Sequence, residues 1–340
     1  MGILMKPERK RIGLLWKLLI LLFLIFSGSF PREAFCSAQQ NYPTKPIELI
    51  IPWSAGGATD IIGRLFAKYA SQDFGQTVIV TNKPGAGGIL ATSEIVKAPA
   101  DGYKLLLQSI SFHVIQSKTE KLPFNPSLII PIANFTEGIQ GCVVKGDSPW
   151  KSFGDLIDFG RKNPGKLTWS HAGVGIPPHM AMEVALEKAG IKGVGVPYKG
   201  TPEALAAFLG GHIKAGSMAY SALKDQVAAG KARYLTIWRD KRFEEMPDVP
   251  SSAELGFQES AKIRSFFGIY SHKDVPKEIV NSIENVTKKV CLKPEFRNDL
   301  NRLGQPLVFL SASELNEFIS QAGAQVTPIL KRLGLYVREN

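Results

Sequence analysis

Ile47-Glu48-Leu49-Ile50-Ile51-Pro52-Trp53-Ser54-Ala55-Gly56-Gly57-Ala58-Thr59-Asp60 decides the fold of this chain. A short apolar run feeds a glycine turn. Ile61, Ile62, Leu65, Phe66 and Tyr69 then recur at helical spacing until Gly75. The unit repeats at Val78-Ile79-Val80-Thr81, followed by Asn82-Lys83-Pro84-Gly85-Ala86-Gly87-Gly88 and a helix from Ile89 to Val96. A third strand is predicted at Tyr103–Leu107. Continuous apolar runs joined by helices imply parallel strands covered on both faces. The fold class is therefore α/β. Each glycine turn also opens backbone N–H groups at the positive end of a helix, which suits an anion.

Outward from these turns, a second set of units is expected. Ser152 caps a helix that Asn163-Pro164-Gly165 ends. Strands are predicted at Leu167–Ser170, Val194–Val196, His212–Met218 and Arg233–Trp238, then at Phe266–Tyr270. The last part reads as mostly helical, with starts near Pro276, Pro294 and Ser311. Two such sets, with the chain returning late to the first, predict two lobes joined by a hinge: 43–144 plus 265–340, and 145–264. Open α/β sheets bind ligands outside the carboxyl ends of their strands, so the cleft is expected between the lobes. The crossovers are expected near Cys142–Lys145 and Lys262–Phe266, as hinges.

The N-terminus has the order of a secretory signal over residues 1–38. Lys6, Arg9, Lys10 and Arg11 precede an apolar run from Leu18 to Phe26, and Cys36-Ser37-Ala38 offers a small-residue cleavage site. The run is too short to span a bilayer, which takes about 20 residues. An uncleaved signal serving as an anchor is the alternative. The formal charge is +11, and this segment carries six of the basic residues and two of the acidic ones. The remaining basic residues are scattered without an aromatic stripe, which argues against nucleic acid. Cys142 and Cys291 lie far apart and are expected to be unpaired thiols. No Cys-x-x-Cys, Gly-x-Ser-x-Gly, His-Glu-x-x-His or Walker pattern occurs, so no metal, cofactor or catalytic residue is expected.

Candidate ligand residues come from the turns. Ser54, Ala55, Gly56, Gly57 and Thr59 form the first, with Thr59 as a candidate helix cap. Ala172, Gly173 and Gly175 belong to Ser170-His171-Ala172-Gly173-Val174-Gly175-Ile176-Pro177-Pro178-His179, a similar turn in the second set. Its glycines mimic a dinucleotide fingerprint, but Pro178 occupies the third glycine position. Tyr198 and Lys199 follow another strand, and Lys199 is a candidate partner for a ligand carboxylate.

Several motifs in order carry a resemblance. They are Pro52-Trp53-x-x-Gly56-Gly57-x-Thr59-Asp60, Asn82-x-x-Gly85-Ala86-Gly87-Gly88 and Ala98-Pro99-Ala100-Asp101-Gly102-Tyr103. Val196-Pro197-Tyr198-Lys199-Gly200, Gly210-Gly211-His212-Ile213 and Pro247-Asp248-Val249-Pro250 follow. Together they resemble the solute receptors of tripartite tricarboxylate transporters, the Bug family, over roughly residues 42–336. The resemblance implies a periplasmic binding protein-like fold of type II, a Venus flytrap. It implies a receptor that captures di- or tricarboxylates or related acids and passes them to membrane transporter subunits, with some members acting in signalling. Backbone amides of the loops 54–59 and 172–175 would hold one carboxylate, and Ser109 falls where the family contacts ligand. Trp53 stands where Phe is usual, and Lys214 and Met218 lie where many members carry Asp. A ligand ammonium would lack a partner there, which disfavours amino acids. The receptor is expected to be a monomer. The competing readings are an exported enzyme acting on a small acid and a sensor for a membrane signalling partner.

Overall fold

The computed structural model describes residues 42–337, together with Gly2. The expected signal segment, 1–38, otherwise lies outside the described residues. From Pro43 onward the chain forms one compact unit containing two sheets.

The first sheet has β1 (Ile47–Ile51), β2 (Val78–Asn82), β3 (Lys104–Ser109), β4 (Ile129–Gly138), β10 (Ser265–His272) and β11 (Leu307–Leu310), in the order β11-β4-β10-β3-β1-β2. Strands β2, β1 and β3 run parallel, whereas β10 is antiparallel to both β3 and β4. The second sheet has β5 (Gln140–Lys145), β6 (Thr168–His171), β7 (Val194–Pro197), β8 (Ala215–Ala219) and β9 (Ala232–Ile237), in the order β7-β6-β8-β5-β9. Here β7, β6 and β8 are parallel and β5 is antiparallel to β8 and β9. The two sheets thus share a plan. Each has three parallel strands, then an antiparallel strand inserted by a crossover.

The parallel strands are apolar because helices cover them. The longer helices are α1 (Ala58–Phe74), α2 (Ile89–Lys97), α3 (Phe153–Lys162), α4 (Pro177–Lys188), α5 (Thr201–Leu209), α6 (Lys277–Leu292), α7 (Pro294–Arg302) and α8 (Ala312–Arg332). Leu49, Ile50 and Ile51 are fully buried in β1, and α1 lays Ile62, Phe66 and Ala70 against the core. Gly63 permits this close approach: a Cβ there would meet Ile51 Cδ1 at 2.5 Å. Ser152 and Asp155 form the reciprocal cap of α3.

The chain crosses between the sheets at Ile139, between β4 and β5, and returns at 262–264. Residues 140–145 pair within the second sheet, so the first crossover lies ahead of Cys142–Lys145. A buried ion cluster sits at both crossings. The Glu137 carboxylate accepts from Arg264 Nε and Nη2 at 2.8 and 2.7 Å and from Arg239 Nη2 at 3.3 Å. Losing one partner of such a buried cluster typically costs about 3–5 kcal/mol. Cys142 and Cys291 are separate, buried, free thiols. Among the described residues no helix is long and apolar enough to cross a membrane.

Candidate functional site

Three helices begin at one cavity of about 40 Å³. Ala58 and Thr59 of α1, Pro177 and Pro178 of α4, and Thr201 of α5 all line it. The rest of the wall includes Trp53, Ile62, Ser109, Ala172, Met218 and Phe267. None of the described residues lining it carries a charge. First-turn N–H groups have no intrahelical acceptor. Ala58 and Thr59 are therefore donors at the positive end of a dipole, in an enclosure with no competing cation.

The first turn is shaped by its own network. Gly57, with φ −76° and ψ 166°, is the N-terminal cap of α1 and makes no side-chain capping bond. Thr59 is thus the second residue of the helix and not its cap. Gly56 adopts φ +75°, and its N–H donates to Asp60 Oδ2 at 2.8 Å. A Cβ at Gly56 would meet nothing within 4 Å, so this glycine is required for its dihedral angle and does not border the cavity. The buried Asp60 carboxylate also accepts from Arg64 Nε at 3.0 Å and Asn82 Nδ2 at 2.9 Å. Burial alone would raise its pKa. The bonds from Arg64, Gly56 and Asn82 outweigh burial and hold it below the usual carboxylate value. Asn82 Nδ2 also reaches Trp53 O at 3.0 Å, so the Asn82 amide, held by Asp60, ties the ends of β1 and β2.

Ser54 and Gly57 meet the other sheet's elements. Ser54 Oγ donates to Glu203 Oε1 at 2.8 Å, and a Cβ on Gly57 would lie 3.4 Å from Pro202 Cδ. Ala55 is exposed. The second turn, 85–88, is absent from the cavity wall. It packs on the turn after β6, where a Cβ on Gly87 would meet Val174 O at 2.8 Å. Ala86, at φ +46°, is the one non-glycine with positive φ among the described residues. Gly173, Tyr198 and Lys199 line an adjoining hollow of about 780 Å³ with Gly85–Gly87, Glu120 and Glu203. Lys199 is exposed there. Of the sequence candidates, the structure therefore brings Thr59, Ser109 and Ala172 together on the cavity wall and sets Lys199 outside it.

The turn after β6 rests on two histidines. His171 Nδ1 donates to Gly173 O at 2.6 Å, and Gly175 N–H donates to His179 Nδ1 at 3.3 Å. The rings lie 4.4 Å apart and beside Trp169. Desolvation pushes the pKa of His171 down to about 4. Desolvation, then the charge of His171, pushes that of His179 down to about 3. Gly175 itself packs on Gln116, whose Nε2 donates to Gly87 O at 2.7 Å. Lys214 lies over the Phe159 ring, away from the cavity wall that Met218 joins.

Residues 62–335 match the family model described as tripartite tricarboxylate transporter family receptor. The chain belongs to this receptor family. A Cupriavidus necator relative, "UPF0065 protein in gbd 5'region", is 33% identical over 301 residues, covering 87% of this chain and 89% of the relative. The structure of periplasmic binding protein BugD superposes with a TM-score of 0.81 at 26% identity, covering 87% of this chain and 100% of that one. The structure "R. palustris Rpa4515 with adipate" gives 0.81 at 25% identity, covering 86% and 98%. The fold is that of the periplasmic binding proteins, and this family is one of periplasmic receptors. Sequence reasoning missed Gln140, Ser217, Ser265 and Gln305, which also line the cavity. Gln140, Ser265 and Gln305 come from the crossovers and the late return, and Ser217 from the middle of β8; no local pattern marks them.

Proposed function

We propose that this receptor captures one small carboxylate in the cavity between its sheets and delivers it, unaltered, to the membrane subunits of a tripartite transporter. The observation that carries this is the pair of first-turn N–H groups of Ala58 and Thr59 at the start of α1, in an enclosure whose described lining residues are uncharged. The adipate-bound relative supports the ligand class. In this reading Ala58 and Thr59 N–H groups face the carboxylate, Ser109 completes the polar wall, and the loops 54–59 and 172–175 close over it. The lobes, 43–139 plus 265–337 and 140–264, turn about the crossings at Ile139 and 262–264. Export follows cleavage of the signal over 1–38, and the receptor acts as a monomer without catalysis.

Calorimetry on the mature chain with a panel of organic acids tests this, with nuclear magnetic resonance of the same mixtures. One-to-one binding without new resonances is expected. No binding by any acid, or conversion of one, overturns the reading.

A further inference from the structure

Two polar atoms in the cavity wall are left without partners. Ser265 Oγ and Gln305 Oε1 belong to residues that are each only 1% exposed, and neither has a hydrogen-bond partner. Both residues line the same cavity as the helix N-termini. Buried polar groups are rarely left unpaired, because desolvation is then uncompensated.

Gln305 is held firmly. Its Nε2 donates to Ser221 Oγ at 2.8 Å and its N–H to Leu300 O at 3.0 Å. Gly304, at φ +66°, seats this segment so closely on Tyr220 that a Cβ would lie 2.5 Å from Tyr220 Cδ1. Ser265 opens β10, beside Arg264, which Glu137 fixes.

Gln305 Oε1 accepts and never donates. A ligand carboxylate would meet it as acceptor against acceptor. Among the described residues no cation lines the cavity to neutralise a second negative charge, and no anion to receive an ammonium. A hydroxyl meets the chemistry: it donates to Gln305 Oε1 and accepts from Ser265 Oγ. Trp53, Ile62, Met218 and Phe267 supply an apolar wall for the carbon chain between. Building on the carboxylate reading of this cavity, we infer that the receptor selects hydroxy-monocarboxylates, with the hydroxyl seated on Gln305 and Ser265.

The test is calorimetry on the mature chain with butanoate, 2-, 3- and 4-hydroxybutanoate, and succinate. At least one hydroxybutanoate is expected to bind about fivefold or more tighter than both butanoate and succinate. Gln305→Leu should shrink that hydroxybutanoate-to-butanoate ratio to below about twofold, and Ser265→Ala should reduce it in part. Ser265→Ala removes an orphan atom without adding bulk, so it serves if the leucine variant fails to fold. Succinate binding tightest overturns the inference while leaving carboxylate capture intact. So does a hydroxybutanoate preference absent in the wild type or unmoved in both variants. Failure of all five acids to bind removes the carboxylate reading, and this inference with it.

Discussion

The turn after β1 and the turn after β6 hold the same place in their two sheets, and they offer different chemistry. The first enters α1 through Ala58, Thr59 and Asp60, each with an N–H. The second enters α4 through Pro177 and Pro178, which have none. The first is braced by an ionised carboxylate, Asp60, and the second by two neutral imidazoles. Equivalent topology therefore supplies donors on one side of the cavity and an apolar wall on the other. A glycine-rich turn at a helix start is only half of an anion site; the residues at the first two helical positions decide the rest.

The braces should titrate in separate windows, and this is the largest effect expected. Histidine in the unfolded chain has a pKa near 6.5. The folded values of His171 and His179 lie well below, so their stabilising contribution is full above about pH 6.5 and is lost as pH falls beneath it. Each histidine contributes up to about 1.4 kcal/mol per pH unit. His113, also lowered by burial, adds to this loss, whereas Glu183 and Glu120, raised by burial, work in the opposite sense, so a net loss of about 1–2 kcal/mol per unit from pH 6.5 to 5 is expected. Denaturant melts across this range measure the slope, and His179→Gln should flatten it by about a third or more. Asp60 has the same sign in a lower window. Its folded pKa is lowered, so its contribution persists above about pH 4 and disappears only below. A flat profile between pH 6.5 and 5 would erase the contrast.

Asp60→Asn should cost about 2 kcal/mol at neutral pH, because three donors lose their charged acceptor. The same denaturant melts read it. Ala58→Pro transfers the second turn's chemistry to the first. Gly57 already has the extended dihedrals that a residue before proline prefers, and proline is accepted at the first helical position. One donor goes and the fold should stay. Calorimetry should then show a loss of about tenfold or more in acid affinity with little change in melting temperature. The reciprocal Pro177→Ala should alter affinity by less than about threefold. Lys199→Ala, on the exposed wall of the neighbouring hollow, should change it by less than about twofold. A dominant Lys199 with an indifferent Ala58→Pro would exchange the backbone cradle for a side-chain ion pair.

The parallel strands and their helices were legible because apolar runs and glycine turns mark them locally. Strand β4 was not. It is buried along most of its length, yet contains Asn134, Thr136 and Glu137. Those polar side chains find partners in distant segments: Asn134 Nδ2 donates to Val308 O, Thr136 Oγ1 donates to Pro306 O, and Glu137 accepts from Arg264 and Arg239. Nothing near them in sequence announces these partners. The π-helical turn Phe112–Gln116 and the short β11 escaped for the same reason. In the site, Thr59 and Ala172 were readable from their turns, and Ser109 from the family resemblance. Gly56 and Lys199 were readable as members of motifs, but the structure gives Gly56 N–H to Asp60 and leaves Lys199 outside the cavity. Ser265 and Gln305 needed the topology.

Strand β10 has a consequence for how the protein must be made. It lies between β3 and β4, pairing with both, although it follows them by the whole of the second sheet in sequence. During synthesis or translocation, the first sheet waits with two open edges until Ser265–His272 emerges. Open edges recruit other strands, and pairings this distant close slowly. A fragment stopping before Ser265 would leave the first sheet with those two edges open, so that sheet cannot be cut out by shortening the gene.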